Sequence, residues 1–249
     1  MRIILPSFEI LTPISDGGIE ELKQIERAAR TCYKSEGKIT KDGESAKKMV
    51  EMLIKKGHEA MLEHSQLSVK FITDRGVSHE LVRHRLCSYA QESTRWVDYN
   101  KAGELTFVLP YEFNKFFMKN DDLRDDFSHW MQLAEEGNAS ETFDDILYHE
   151  KGEKVHDGFY YWLSAMQMAE VAYKGMRDDG CTPQLARSVL PNSLKTEIVV
   201  TANYREWRNI LKLRTAPDAH PDIRSLMTEL LKELRRQGLA TIFGDIPID

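Results

Sequence analysis

The chain has 249 residues, 41% of them hydrophobic and 30% charged, a mix that excludes a disordered or fibrous polypeptide and suffices for a sizeable core. A net charge of −6 gives no global positive field for nucleic acid, so any phosphate must be held by a local group of cations. No apolar run approaches the ~20 residues of a membrane span, and Cys32, Cys87 and Cys181 are too far apart for a CxxC pair or a disulfide framework.

The first residues, broken by Pro6 and Glu9, predict a strand over Arg2 to Leu5 rather than a secretion signal, and a cytoplasmic protein is expected. Ile19, Leu22, Ile25, Ala28 and Ala29 recur at helical spacing and predict a helix over Ile19 to Tyr33. A second helix, about Glu44 to Lys56, turns Met49, Val50, Leu53 and Ile54 inward and stops at Gly57. Leu67, Val69 and Phe71 alternate with polar neighbours, so Gln66 to Ile72 is a half-buried strand ending in the turn Asp74-Arg75-Gly76. Ser78 is then positioned to cap a helix running to about Leu86.

Leu105 to Leu109 predicts another strand, stopped by Pro110, and the acidic stretch at about 115–157 predicts surface helices or an insertion. A long amphipathic helix follows over Phe159 to Arg177, with Tyr160, Leu163, Met166, Met168 and Val171 offered to a core. Thr182-Pro183 starts a short helix, Thr196 to Thr201 is a strand, and Glu206 to Leu213 and Pro221 to Gln237 are helices, the last closed by Gly238. Without repeats or a linker, this reads as a single α+β domain, helix-rich, with a small antiparallel sheet.

Chemistry concentrates in Arg83-His84-Arg85-Leu86-Cys87-Ser88-Tyr89-Ala90-Gln91-Glu92-Ser93-Thr94-Arg95-Trp96. Guanidinium forks grip phosphate bidentately and keep their charge, so the cluster suits a nucleotide. On the predicted helix Arg83 and Arg85 point about 200° apart and serve different ligands, or one ligand and a structural carboxylate. Taken as charge alone, the same face also fits a solvated lattice of salt bridges with Glu80 and Glu92. His79-Glu80…His84 misses the HExxH zinc spacing, and no GxGxxG, P-loop or GxSxG is present.

The order of these residues resembles the signature of the flavin-dependent thymidylate synthases. Gly57-His58-Glu59 with Glu63-His64, Ala186-Arg187-Ser188-Val189-Leu190-Pro191, and the stretch from Asn203 through Arg214 to His220 are similar to further elements of that family, in the same order. The resemblance implies FAD bound without a Rossmann fold, and reductive methylation of dUMP to dTMP. NADPH would be the reductant and 5,10-methylenetetrahydrofolate the one-carbon donor, in a homotetramer with shared active sites. It implies dUMP contacts at Glu80, Arg83, Gln91, Ser93, Arg95, Arg187 and Arg214. Flavin contacts are implied at His58, Glu63, Arg83, His84, Arg85, Asn203, Arg205, Asn209 and His220, with Arg214, Ser93 and His58 nearest the chemistry and Arg214 against the uracil ring. Arg205 and Asn209, four apart, share one helix face.

Several positions depart from the family. Ala90-Gln91 stands where Asn-Glu is usual, Trp96 replaces a tyrosine, and Cys32 replaces a small hydroxyl residue. The loop Ala216-Pro217-Asp218 crowds the approach to His220. Two other classes fit parts of the pattern. A different flavin- or nucleotide-binding oxidoreductase would keep the pocket without methyl transfer. A nucleic-acid module would use the arginines with Tyr89 and Trp96, against which the acidic net charge argues.

Overall fold

The chain alternates short strands with amphipathic helices, and the computed structural model describes residues 1–101, 104–139 and 157–248 of it. The strands are β1 (Arg2–Ile4), β2 (Ser7–Ile10), β3 (Gln66–Asp74), β4 (Ser88–Gln91), β5 (Thr106–Val108) and β6 (Lys195–Asn203). The helices before residue 140 are α1 (Ile19–Tyr33), α2 (Glu44–Lys55), α3 (Arg75–Leu81), α4 (Tyr111–Lys119) and α5 (Arg124–Glu135). Those after residue 156 are α6 (Asp157–Asp178), α7 (Pro183–Ala186), α8 (Tyr204–Arg214), α9 (Pro221–Leu234) and α10 (Ala240–Phe243). Helix outweighs strand, as the sequence predicts.

β1 and β5 pair in parallel, and the other strands form a sheet of order β2-β3-β6-β4. Ser68 Oγ lies 2.8 Å from Thr201 Oγ1, while Arg75 N–H bonds the Asn192 carbonyl, so β3 and β6 run antiparallel. The period of two is complete in both: Leu67, Val69, Phe71 and Thr73 are buried along β3, and Thr196, Ile198, Val200 and Ala202 along β6.

The chain divides into two compact units. The first comprises Met1–Ser7, Ile72–His79 and Gln91–Ile198. Its core gathers Phe117 of α4, Phe127 and Trp130 of α5, and Phe159, Leu163 and Tyr173 of α6. Phe117 and Phe127 stack at 4.2 Å, and Phe159 meets Phe117 edge-on at 4.9 Å. The acidic stretch therefore begins as helices whose apolar side belongs to the core; residues 140–156 of it lie outside the described residues. Helix α6 presents its other side outward, so Met168 and Val171, expected in the core, are 64% and 58% exposed. The interior side is already filled by Phe159, Leu163, Met166 and Tyr173.

The second unit comprises Phe8–Phe71, Glu80–Ala90 and Val199–Asp249. Here α1 packs on α2, burying Leu22, Ile25 and Ala29 with Met49, Val50 and Leu53. Gly57 ends α2 at φ 70°, where the His58 N–H reaches back 2.8 Å to the Leu53 carbonyl. Trp207 and Ile210 of α8 are buried, and Trp207 Nε1–H donates to the Leu67 carbonyl at 2.9 Å. Arg208, 1% exposed, is neutralised by Glu59 at 3.1 Å and by Asp245 at 2.6 and 2.8 Å, tying the last residues to the turn before β3.

Two expectations fail between β3 and β4. Asp74-Arg75-Gly76 is no turn: Asp74 Oδ1 accepts the Val77 N–H at 2.7 Å, and α3 starts at Arg75. The helix ends at Leu81 rather than Leu86, and Ser78 is inside it, fully buried, with its hydroxyl donating to the Arg75 carbonyl.

Candidate active site

Strand β6 runs straight into α8, and Asn203 marks the junction, its Oδ1 accepting the Glu206 N–H at 2.9 Å. With Trp207, Ile210 and Leu211 turned inward, Arg205, Asn209 and Lys212 are left outward on the same helix. They line a cavity of about 530 Å³ with Asn203, Glu206, Leu86, Glu59 and Glu63. Arg205 and Asn209 thus share one ligand-sized space, as their spacing predicts. Arg205 pairs with Glu63 at 2.5 Å, but both side chains are about half exposed. Such a pair is worth roughly 0–1 kcal/mol and yields readily to an incoming anion.

Arg214, the last residue of α8, has every guanidinium nitrogen engaged. Nε–H donates to His84 Nε2 at 3.0 Å, Nη1 to Glu80 Oε2 at 2.6 Å, and Nη2 to the Glu80 carbonyl at 3.1 Å. One N–H of each nitrogen is engaged by protein, which fixes the plane of the group. His84 is 7% exposed, and burial followed by the Arg214 charge brings its pKa down to about 4. It is therefore neutral near pH 7. Because Nε2 accepts from Arg214, the ring proton belongs on Nδ1.

His84 sits in the turn after α3, which the Tyr89 hydroxyl closes by lying 2.6 Å from the Leu81 and His84 carbonyls. Arg83 and Arg85 occupy that turn, not a helix, so the angular argument for two ligands does not hold. Both are exposed. Of the remaining residues expected at a flavin, His58 lies 3.2 Å from the Tyr33 hydroxyl. His220 accepts the Asp222 N–H at 3.4 Å as the cap of α9 and is not part of the cavity lining.

The other expected nucleotide contacts belong to the first unit. Gln91 Nε2 donates to Ser78 Oγ at 2.9 Å and to Thr196 Oγ1 at 3.3 Å, leaving its carbonyl oxygen for a donor. Ser93 Oγ accepts the Arg95 N–H, and Arg95 lies exposed over the Trp96 ring at 5.8 Å. Arg187, also exposed, donates to Thr94 Oγ1 at 3.2 Å.

Residues 19–237 match the family model described as thymidylate synthase complementing protein. A flavin-dependent thymidylate synthase of Corynebacterium aurimucosum is 32% identical over 236 residues, covering 94% of this chain and 84% of the relative. One from Geobacter sulfurreducens is 33% identical over 227 residues, 88% and 78% of the two chains. The chain belongs to the flavin-dependent thymidylate synthase family. Thymidylate Synthase X of Helicobacter pylori, solved with FAD and dUMP, shares the fold at a TM-score of 0.66 and 19% identity, covering 97% and 99% of the two chains. The UMP/dUMP methylase PolB of Streptomyces cacaoi follows at 0.61 and 16%, with 99% of each chain covered.

Glu206 and Lys212 also line the cavity and were passed over by the sequence reading, which named Glu59 only as part of the Gly57-His58-Glu59 element. Glu206 alone carried a signal. It lies three residues after the cap Asn203, where a carboxylate is read as complementing the helix dipole, yet its side chain is buried.

Proposed function

We propose that this chain is a flavin-dependent thymidylate synthase that converts dUMP to dTMP. Methylenetetrahydrofolate would donate the carbon and NADPH the electrons. The observation that carries the reading is Arg214, a permanent cation held in a fixed orientation by Glu80 and His84. Methylation at C5 of uracil needs electron density pushed onto the ring, and a fixed cation against it stabilises that charge without a proton transfer. The family resemblance assigns Arg83, Arg95 and Arg187 to the phosphate, each of them exposed, and Gln91, Ser93 and Glu80 to the polar edges of the nucleotide.

The cavity beside α8 offers a planar cofactor amides at Asn203 and Asn209, cations at Arg205 and Lys212 and the apolar side chain of Leu86, while its carboxylates Glu63 and Glu59 are paired with Arg205 and Arg208 and Glu206 faces His84. FAD bound there supplies the hydride once reduced. His58, Glu63, His84, Arg85 and His220 are assigned to the same cofactor on the family resemblance. Ser93 contacts the nucleotide and is not a covalent nucleophile.

Family resemblance also implies a homotetramer. It is supported by the apolar side of α6, where Tyr161, Met168 and Val171 are each more than half exposed. Sedimentation should give four chains per particle. Cys32, Cys87 and Cys181 are free thiols, in keeping with a cytoplasmic location. The function is tested by purifying the protein and supplying dUMP, labelled methylenetetrahydrofolate and NADPH. Yellow protein that releases FAD on denaturation and forms labelled dTMP is expected. Release of FMN alone, or flavin-loaded protein without dTMP, would overturn it.

A further inference from the structure

We propose that Glu206 is a positioning residue for the methyl transfer: its buried carboxylate, opposite the Arg214 Nε–H, helps hold the tautomer of His84, and through His84 the orientation of Arg214. This rests on the thymidylate synthase reading above and adds to it a residue that neither motif nor family resemblance assigns.

The Glu206 side chain is 8% exposed, and His84 is the cation-capable group within ion-pair range of it, with Nδ1 at 3.7 Å from Oε1. That separation exceeds a hydrogen bond, so the tie is between a charge and the N–H dipole. Asn209 Nδ2 adds weak contacts at 3.3 and 3.5 Å. A carboxylate buried with so little compensation is costly, and it lines the cavity between Asn203 and Asn209 on α8. Behind burial, its charge also helps raise the Cys87 thiol and the Tyr89 hydroxyl, and the N–H-bearing ring it faces is His84. With the proton on Nδ1, the positive end of the N–H dipole faces the carboxylate and Nε2 is left to accept from Arg214 at 3.0 Å. With the proton on Nε2, two donors would face each other there, the ring would turn its lone pair to the carboxylate, and Arg214 would lose one of its three anchors. Glu206, His84, Arg214 and Glu80 thus form a chain in which each group sets the next. Carboxylates behind metal-binding histidines act on the ring in the same way.

Two measurements test this. In the wild-type holoenzyme, histidine 15N NMR near pH 7, with His84 assigned by substitution, should show Nδ1 protonated and Nε2 bare. An Nε2–H ring or an imidazolium would overturn the proposal, whatever the protein's activity. Glu206→Leu and Glu206→Gln should lower the rate of dTMP formation at saturating dUMP, by about 10–100-fold for the leucine variant. Neither should slow the Arg214→Ala enzyme further, since the effect runs through Arg214. Losses that multiply with those of Arg214→Ala, or no loss, would also overturn it. If Glu206→Leu does not fold, Glu206→Gln carries the cycle. Absence of dTMP from the wild type would refute the functional reading, while the tautomer measurement still decides this one.

Discussion

Arg214 carries the phosphate-or-ring question at the level of single residues. With three nitrogens tied to Glu80 and His84, it is oriented before any ligand arrives. Arg214→Ala should therefore cost about 2–4 kcal/mol in the barrier to methyl transfer while dUMP affinity changes far less. Arg187→Ala should act mainly on dUMP affinity. Lysine at 214 should rescue only in part, because an ammonium cannot lie flat on a ring. Stopped-flow turnover and dUMP titration of the variants check this; equal losses in Arg214→Ala would make it another anchor. His84 gives a second prediction. Its pKa rises from about 4 in the folded chain to the ordinary 6.5 on unfolding. Between these values the unfolded chain takes up a proton that the folded one refuses, so stability is full above 6.5, declines as pH falls and levels off near 4. Denaturant midpoints across that window should fall less steeply for His84→Leu; an unchanged slope would contradict it. The resemblance singles out Arg214 and Asn203 in the sequence by their spacing, and the structure puts Asn203 in the cavity lining and Arg214 against Glu80 and His84. Glu206 was not legible there, since a glutamate one turn past a cap reads as surface.

At the scale of elements, strong periodicity with a clear stop was readable. Helix α1 spans Ile19–Tyr33 as predicted, and Gly57 ends α2 because its φ of 70° suits glycine. Side-chain capping defeated the reading near the signature motif. Asp74-Arg75-Gly76 has turn composition, yet the Asp74 carboxylate caps Val77 and starts α3 early, so the arginines fall in a turn. Burial was misjudged on α6, where Met168 is apolar but the interior side is already filled by rings. Those rings make the prediction for this scale. Phe127 is stacked on Phe117 and 1% exposed, so Phe127→Ala should destabilise the protein by about 3–5 kcal/mol through the cavity it leaves. Urea unfolding measures it, and a loss below 1 kcal/mol would mean the cluster collapses around the gap.

For the whole molecule, family membership and fold agree with a reaction that uses a flavin in place of a cysteine nucleophile. The thiols are scattered: Cys32 is exposed and close to Met61, and burial pushes the Cys87 thiol up, away from the reactive thiolate. Cys87 therefore lacks the setting of an activated nucleophile. The most direct measurement is dTMP formation from dUMP, methylenetetrahydrofolate and NADPH by the FAD-loaded protein with all three cysteines changed to serine. The account predicts turnover close to that of the wild type. A variant that folds and holds FAD but makes no dTMP would contradict it.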